Sequence, residues 1–197
     1  MPADPAESNV EPVETRPFPA LSTPRLTLRA FTEADTPVFS ELLAFYIVTR
    51  FSDWPDAPPP DRCAAAVKRM ISSYPEGWGC AWAIEETTSA TLIGAIRLNY
   101  IIKGPRVGGI GYELHPGFWG KGLATEALHA VVACAHGFFE LNRLEAWTLP
   151  GNDASDRVLA KSGFAHEGTM RQKGYFKGAF HDFRWFGRVK DDPVARP

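Results

Sequence analysis

The stretch from 109 to 127 reads Gly109-Ile110-Gly111-Tyr112-Glu113-Leu114-His115-Pro116-Gly117-Phe118-Trp119-Gly120-Lys121-Gly122-Leu123-Ala124-Thr125-Glu126-Ala127. Its types run strand, glycine-rich turn, helix. Glycine admits positive φ and lets the backbone come close to a ligand. The first amides of the following helix have no internal partners and point outward beside the positive end of the dipole. Residues 119–125 therefore form an anion cradle, best filled by phosphate. Two rival phosphate motifs are excluded. Gly120-Lys121-Gly122 lacks the spacer of a P-loop, and Thr125 stands where a dinucleotide fingerprint has Gly or Ala. Beside the cradle are two groups able to take a proton. Glu113, near the C-terminal end of the strand, is the first candidate, because a partly buried carboxylate has a raised pKa and suits proton transfer, directly or through water. Its structural alternative is a strand carboxylate paired with an arginine. His115 is the second candidate by intrinsic pKa, and it also reads as a turn residue before Pro116.

Positioning these groups takes a sheet with helices on it. Leu26 and Leu28 alternate with Thr27 and Arg29, which is a strand with one buried face. Thr32 and Asp35 start a helix expected to reach about 48. The prolines from 55 to 60 force a loop, and a second helix spans about 61–74. Alternation at 80–84 and 92–100 predicts a hairpin, and 109–114 a further strand. Leu123, Ala127, Val131, Cys134 and Phe138 recur at helical steps. A strand at 144–149, a short helix at 153–161 closed by Gly163, and a strand pair at 164–171 and 181–189 across a 174–178 loop complete the chain. The order β-α-α-β-β-β-α-β-α-β-β predicts an α/β (α+β) fold: one mixed, mostly antiparallel sheet with helices on both faces.

The 197 residues suit one domain over 22–190, with a flexible or draped Pro/Ala/Glu-rich tail at 1–21 and a C-terminal tail at 191–197. Apolar residues make up 45%, charged residues 22%, and the formal net charge is −2. Such a balance supplies no general field for nucleic acid or an anionic membrane. Cys63, Cys80 and Cys134 show neither metal nor disulfide spacing, so reduced, mostly buried thiols and no metal are expected. With no secretory start and no apolar run near the length of a membrane span, a soluble cytoplasmic protein is expected, monomer or homodimer.

Trp119-Gly120-Lys121-Gly122-Leu123-Ala124 resembles the acetyl-CoA motif Q/R-x-x-G-x-G/A of the GNAT (Gcn5-related N-acetyltransferase) superfamily, with Trp119 in place of Gln or Arg. Thr23-Pro24-Arg25-Leu26-Thr27-Leu28-Arg29 and Asn152-Asp153-Ala154-Ser155-Asp156-Arg157-Val158-Leu159-Ala160-Lys161-Ser162-Gly163-Phe164 resemble the RimJ/RimL-like ribosomal-protein branch of it. The likeness spans about 22–190. It implies an N-acetyltransferase in which strands 109–115 and 144–149 splay apart and pantetheine enters the gap. Backbone groups at Leu114 and His115 would then pair with pantetheine. Trp119, Gly120, Lys121, Gly122, Leu123, Ala124 and Thr125 would hold the diphosphate, and Asn152 would contact pantetheine. The resemblance further implies that Ser155 hydrogen-bonds the sulfur and acts as acid, the alternative being helix capping at 152–155. Tyr175 is the competing acid, or a surface aromatic at a turn.

Acyl transfer to an amine asks for a base and for donors to the oxyanion. The expected acceptor region, about 39–74 with the last hairpin, contains Asp53, Trp54, Asp56 and Asp61, an acidic and aromatic set suited to a cationic amine, the alternative being a solvated proline-rich loop. The resemblance implies a protein N-terminal α-amine, or a small amine as in other members. A non-catalytic CoA-binding sensor is the alternative function; Glu113 and Ser155 favour catalysis.

Overall fold

The structure, a computed structural model, describes residues 16–193. Its elements are β1 (Leu21–Ser22), β2 (Leu26–Ala30), α1 (Thr36–Ala44), α2 (Tyr46–Thr49), α3 (Pro60–Ser73), β3 (Cys80–Glu86), β4 (Thr91–Ile102), β5 (Val107–Leu114), α4 (Leu123–Gly137), β6 (Arg143–Thr148), α5 (Asp153–Lys161), β7 (Ala165–Phe176) and β8 (Ala179–Val189). The eight strands make one sheet in the order β1-β2-β3-β4-β5-β6-β8-β7. Every neighbouring pair is antiparallel except β5 and β6. This is the expected α/β sheet, and α4 supplies the crossover between its parallel pair.

Both faces are covered. On one, Leu26, Leu28, Trp82, Ile84, Ile96 and Leu98 pack under α4 through Leu123, Ala127, Leu128 and Val131. On the other, Phe39, Leu42 and Leu43 of α1 and Cys63, Val67 and Met70 of α3 pack on Ala81, Ala83 and Ala95. The small residues alternating with Cys80, Trp82 and Ile84 are thus a second core face, on which only a methyl separates helix from sheet. All three cysteines are free and buried, and burial pushes the Cys134 thiol up to about 11. No helix among the described residues is long and apolar enough to cross a membrane.

Three local expectations change. The helix expected to run to 48 breaks at Phe45, which is extended (φ −70°, ψ 107°) and lays its ring edge-on against His115 at 5.0 Å. The last two strands run on to Phe176 and Ala179, so Tyr175 lies in a strand. The connection is Lys177-Gly178 with φ of 51° and 76°, the two positive values that a tight hairpin turn needs. Finally, residues 16–20 are packed rather than loose. Trp82 Nε1 donates to the Pro19 carbonyl at 2.7 Å, and the Tyr74 hydroxyl donates to the carbonyls of Arg16 and Pro17. The expected tails at 1–15 and 194–197 lie outside the described residues.

Asp35 anchors the start of α1. It accepts from the Thr32 amide at 2.7 Å and from both Arg29 terminal nitrogens at 2.7 and 2.8 Å, while Arg29 Nε reaches Glu85 at 2.8 Å. Burial alone would raise the Asp35 pKa, but Arg29 and Thr32 outweigh it and hold the carboxyl below its usual range. A depressed carboxyl contributes stability above its unfolded pKa of about 3.9 and loses it as pH falls through the folded value. Asp35→Asn is therefore expected to cost about 2 kcal/mol at pH 7 and to flatten the stability loss as pH falls below about 4. Thermal denaturation across that range checks both.

Candidate active site

β5 and β6 pair over three rungs, Val107↔Arg143, Gly108↔Leu144 and Gly109↔Glu145, and then part. Beyond that point β6 stays bound to β8 as far as Thr148, and β5 stays bound to β4 as far as Leu114. Tyr100 of β4 marks the fork. Its ring lies on Gly109, where a Cβ would come within 2.2 Å of the ring, and its hydroxyl donates to Glu145 of β6 at 2.9 Å. A side chain at 109 would displace this clamp, which is why glycine is required there. From the fork opens a cleft of about 740 Å³ lined by parts of β4, β5, β6, α3 and α5. Backbone groups of β5 and β6 that face the gap lack ladder partners, which is a surface for an extended ligand.

The loop at the end of β5 has the expected backbone. Gly120 and Gly122 take φ of 75° and 77°, a region costly for other residues. A Cβ at Gly120 would meet nothing within 4 Å, so the glycine serves the backbone path and leaves open space. Gly122 caps the 15-residue α4 without a side chain, leaving the first amides free. Leu123 itself is buried; its contribution to the cradle is the amide. One carboxylate, Glu126, sits in the first turn of α4 and would repel an anion. Arg25 answers it, pairing with Glu126 at 2.5 Å and donating to the Lys121 carbonyl at 2.9 Å. Burial raises the Glu126 pKa, but the hydrogen bonds from Thr23 and Arg25 lower it further than burial raises it. The helix end thus stays positive. Lys121 lies over the Phe118 ring at 4.9 Å. Trp119, where the motif has Gln or Arg, turns its indole N–H onto the Leu114 carbonyl at 2.7 Å. His115 is a turn residue: Nδ1 accepts from the Gly117 amide at 3.1 Å.

Glu113 is buried, lines the cleft and forms a two-point ion pair with Arg97, one contact at 2.8 Å. The register explains it. Arg97 lies opposite Gly111, and Glu113 opposite Ala95, so the two are diagonal neighbours on one face with no side chain between them. Burial lowers the Arg97 pKa, but the Glu113 carboxylate more than offsets this and raises it, with Asp53 adding to the effect. Across the gap, Asn152 caps α5 by accepting from the Ser155 amide at 3.4 Å. The Ser155 carbonyl accepts from the Tyr112 hydroxyl at 3.3 Å, a bridge from β5 to α5, and burial pushes the Tyr112 phenol above its ordinary range. Asn152 and Ser155 both line the cleft, while Tyr175 does not; it is exposed, with its ring 4.9 Å from Phe180.

The acceptor side differs from its sequence reading. Of the three acidic residues expected there, Asp53 lines the cleft and Asp56 and Asp61 do not. Asp56 is taken by Lys177 of the β7–β8 turn at 2.7 Å. Arg62, Arg69 and Arg97 line it instead. Arg97 was missed because only the strand register reveals its partner, and Arg62 and Arg69 because their shared helix face is hidden until α3 docks. Among the described residues no cluster of three or more His, Cys, Asp or Glu can hold a metal.

The comparisons with known proteins agree with this architecture. The acetyltransferase (GNAT) domain model matches residues 25–165. The N-acetyltransferase YoaA of Bacillus subtilis is 32% identical over 173 residues, which is 88% of this chain and 98% of the relative. The ribosomal-protein-serine acetyltransferase of Escherichia coli is 30% identical over 100 residues, 51% of this chain and 56% of that one. The fold matches that of the RimL ribosomal L7/L12 α-N-protein acetyltransferase, solved with coenzyme A, at a TM-score of 0.79 and 24% identity over 88% of this chain and 99% of that chain. The chain belongs to the GNAT acetyltransferase family.

Proposed function

We propose that this acetyltransferase takes its acetyl group from acetyl-CoA and passes it to a primary amine, by preference a protein N-terminal α-amine, in the cytoplasm. The observation that carries this is the fork after Gly109 and Glu145, set next to a glycine-capped helix end that stays positive because Arg25 neutralises Glu126. Acetyl-CoA supplies an activated thioester. Residues 119–125 hold its diphosphate, and the edge of β5 that faces the gap at Leu114, with Asn152, receives pantetheine, whereas the His115 amide donates to the Ile93 carbonyl and the His115 carbonyl accepts from the Phe118 amide. Arg97 occupies two of the roughly four acceptor positions of Glu113. The others remain for the amine proton, directly or through water. The Ser155 hydroxyl, which makes no hydrogen bond among the described residues, donates to the departing thiolate. No metal, nucleic acid or membrane is needed, and one chain carries the whole site as monomer or homodimer.

A carboxylate held by an arginine suits an acceptor that needs little deprotonation. An α-amine has a pKa of about 8 and a lysine side chain about 10.4, so the neutral fraction near pH 7 differs by roughly 250-fold. CoA release with an N-terminal peptide is therefore expected to show kcat/KM rising with pH and levelling near about 8. A profile still rising at pH 9.5 would exclude the α-amine. One observation favours the second reading, a CoA-binding module: Glu113 already has an arginine partner. Acetyl-CoA binding with no CoA release across peptide and small-amine acceptors would establish that reading instead.

A further inference from the structure

We propose that the acceptor carries an anionic group, a carboxylate or phosphate, close to its reactive amine, and that Arg62 and Arg69 bind it. This rests on the acetyl-transfer reading above and names the acceptor class for the same cleft.

Arg62, Ala66, Arg69 and Ser73 recur at steps of four, three and four along α3 and all line the cleft, so they form one helix face. Ala65 and Ala66, between the arginines, also line it and leave room for a ligand group. The arginines stand about 10 Å apart along the axis, far enough for each to keep its own approach to an anion. Neither donates a side-chain hydrogen bond or forms an ion pair among the described residues. Arg69 stacks over the Trp78 ring at 4.2 Å, which engages the face of the guanidinium and leaves its in-plane N–H donors free. Arg97, by contrast, is committed to Glu113 and is also influenced by Asp53.

The charges on the cleft wall therefore do not cancel. Its ionised residues are Arg62, Arg69 and Arg97 against Asp53 and Glu113. Once Arg97 and Glu113 neutralise each other, two free guanidiniums face one aspartate. A purely cationic acceptor would be repelled by such a wall, whereas an amine with a neighbouring carboxylate or phosphate would be drawn in and oriented, since arginine forks match both groups.

The test is an acceptor series at saturating acetyl-CoA, read by CoA release. One arm uses peptides alike except at positions two and three, which are Asp-Glu, Ala-Ala or Lys-Lys. A second arm compares small amines bearing a phosphonate or carboxylate with their neutral esters. Wild-type kcat/KM is expected to favour the anionic member by about tenfold over the neutral one, the scale of partly screened guanidinium contacts, and the preference should shrink with salt. Preference in the peptide arm alone identifies an acidic N-terminus, and in the small-amine arm alone a free anionic metabolite; both support the proposal. The double variant Arg62→Glu/Arg69→Glu is expected to invert the order and favour the Lys-Lys peptide, a gain that misfolding cannot mimic. Acetyl transfer without any anion preference, or a preference that survives the double variant, overturns this inference alone. Absence of CoA release from every acceptor overturns the acetyl-transfer reading and this inference with it.

Discussion

Gly122→Trp is expected to weaken acetyl-CoA binding by at least about 100-fold, or some 2.7 kcal/mol, while lowering the melting temperature by only a few degrees. Gly122 holds φ of 77° at the N-cap of α4, and a Cβ there would meet only the Arg25 guanidinium, at 3.7 Å. The fold therefore tolerates the change better than the anion site does. An indole fills the space in front of the free amides, and the positive φ adds about 1–2 kcal/mol of strain confined to the loop. Isothermal titration with acetyl-CoA, CoA and ATP reads the effect. Gly120→Ala, at φ of 75° with open space around it, should show a smaller loss. Equal acetyl-CoA affinity in wild type and Gly122→Trp would mean that the loop does not hold the diphosphate, and the assignment of the donor would be withdrawn.

The second large effect belongs to Glu113. Glu113→Gln is expected to lower kcat by about 10²–10⁴, the usual contribution of a positioned base, with acetyl-CoA affinity retained. Stability should fall too, by about 1–3 kcal/mol, because the partly buried Arg97 loses its carboxylate partner. These consequences are separable. Replacing both members, Arg97→Met with Glu113→Leu, removes the stranded charge and should restore most of the stability but none of the turnover. Denaturant unfolding and CoA release on the same three proteins decide the point. If the double variant recovers activity along with stability, Glu113 is a strand carboxylate and nothing more, and the proton leaves through His115 or water.

The glycine-rich loop after β5 and its helix were legible from residue order because their causes are local. Positive φ at Gly120 and Gly122, the free amides of α4 and the Asn152 cap each involve residues within one turn of each other. The alternation of β2, β3, β4 and β5 likewise sufficed for one sheet with helices on both faces. Groups that meet across the sheet were not legible in this way. Arg97 and Glu113 are 16 residues apart and Arg25 and Glu126 are 101 apart, and each pair depends on a strand register or helix docking that no local pattern specifies. The same holds for the sign of the cleft wall. Asp53, Asp56 and Asp61 cluster in sequence, yet Lys177 draws Asp56 away and α3 sets the exposed Arg62 and Arg69 along the cleft. Phe45 leaves its helix to meet His115, and Tyr175 lies in a strand instead of the hairpin loop, with its side chain exposed. Residue order alone determined where the backbone turns through positive φ and leaves helix amides free, since conformational preference acts between neighbours. The tertiary structure decided which charges face one another, since that energy depends on distances only the packed chain sets.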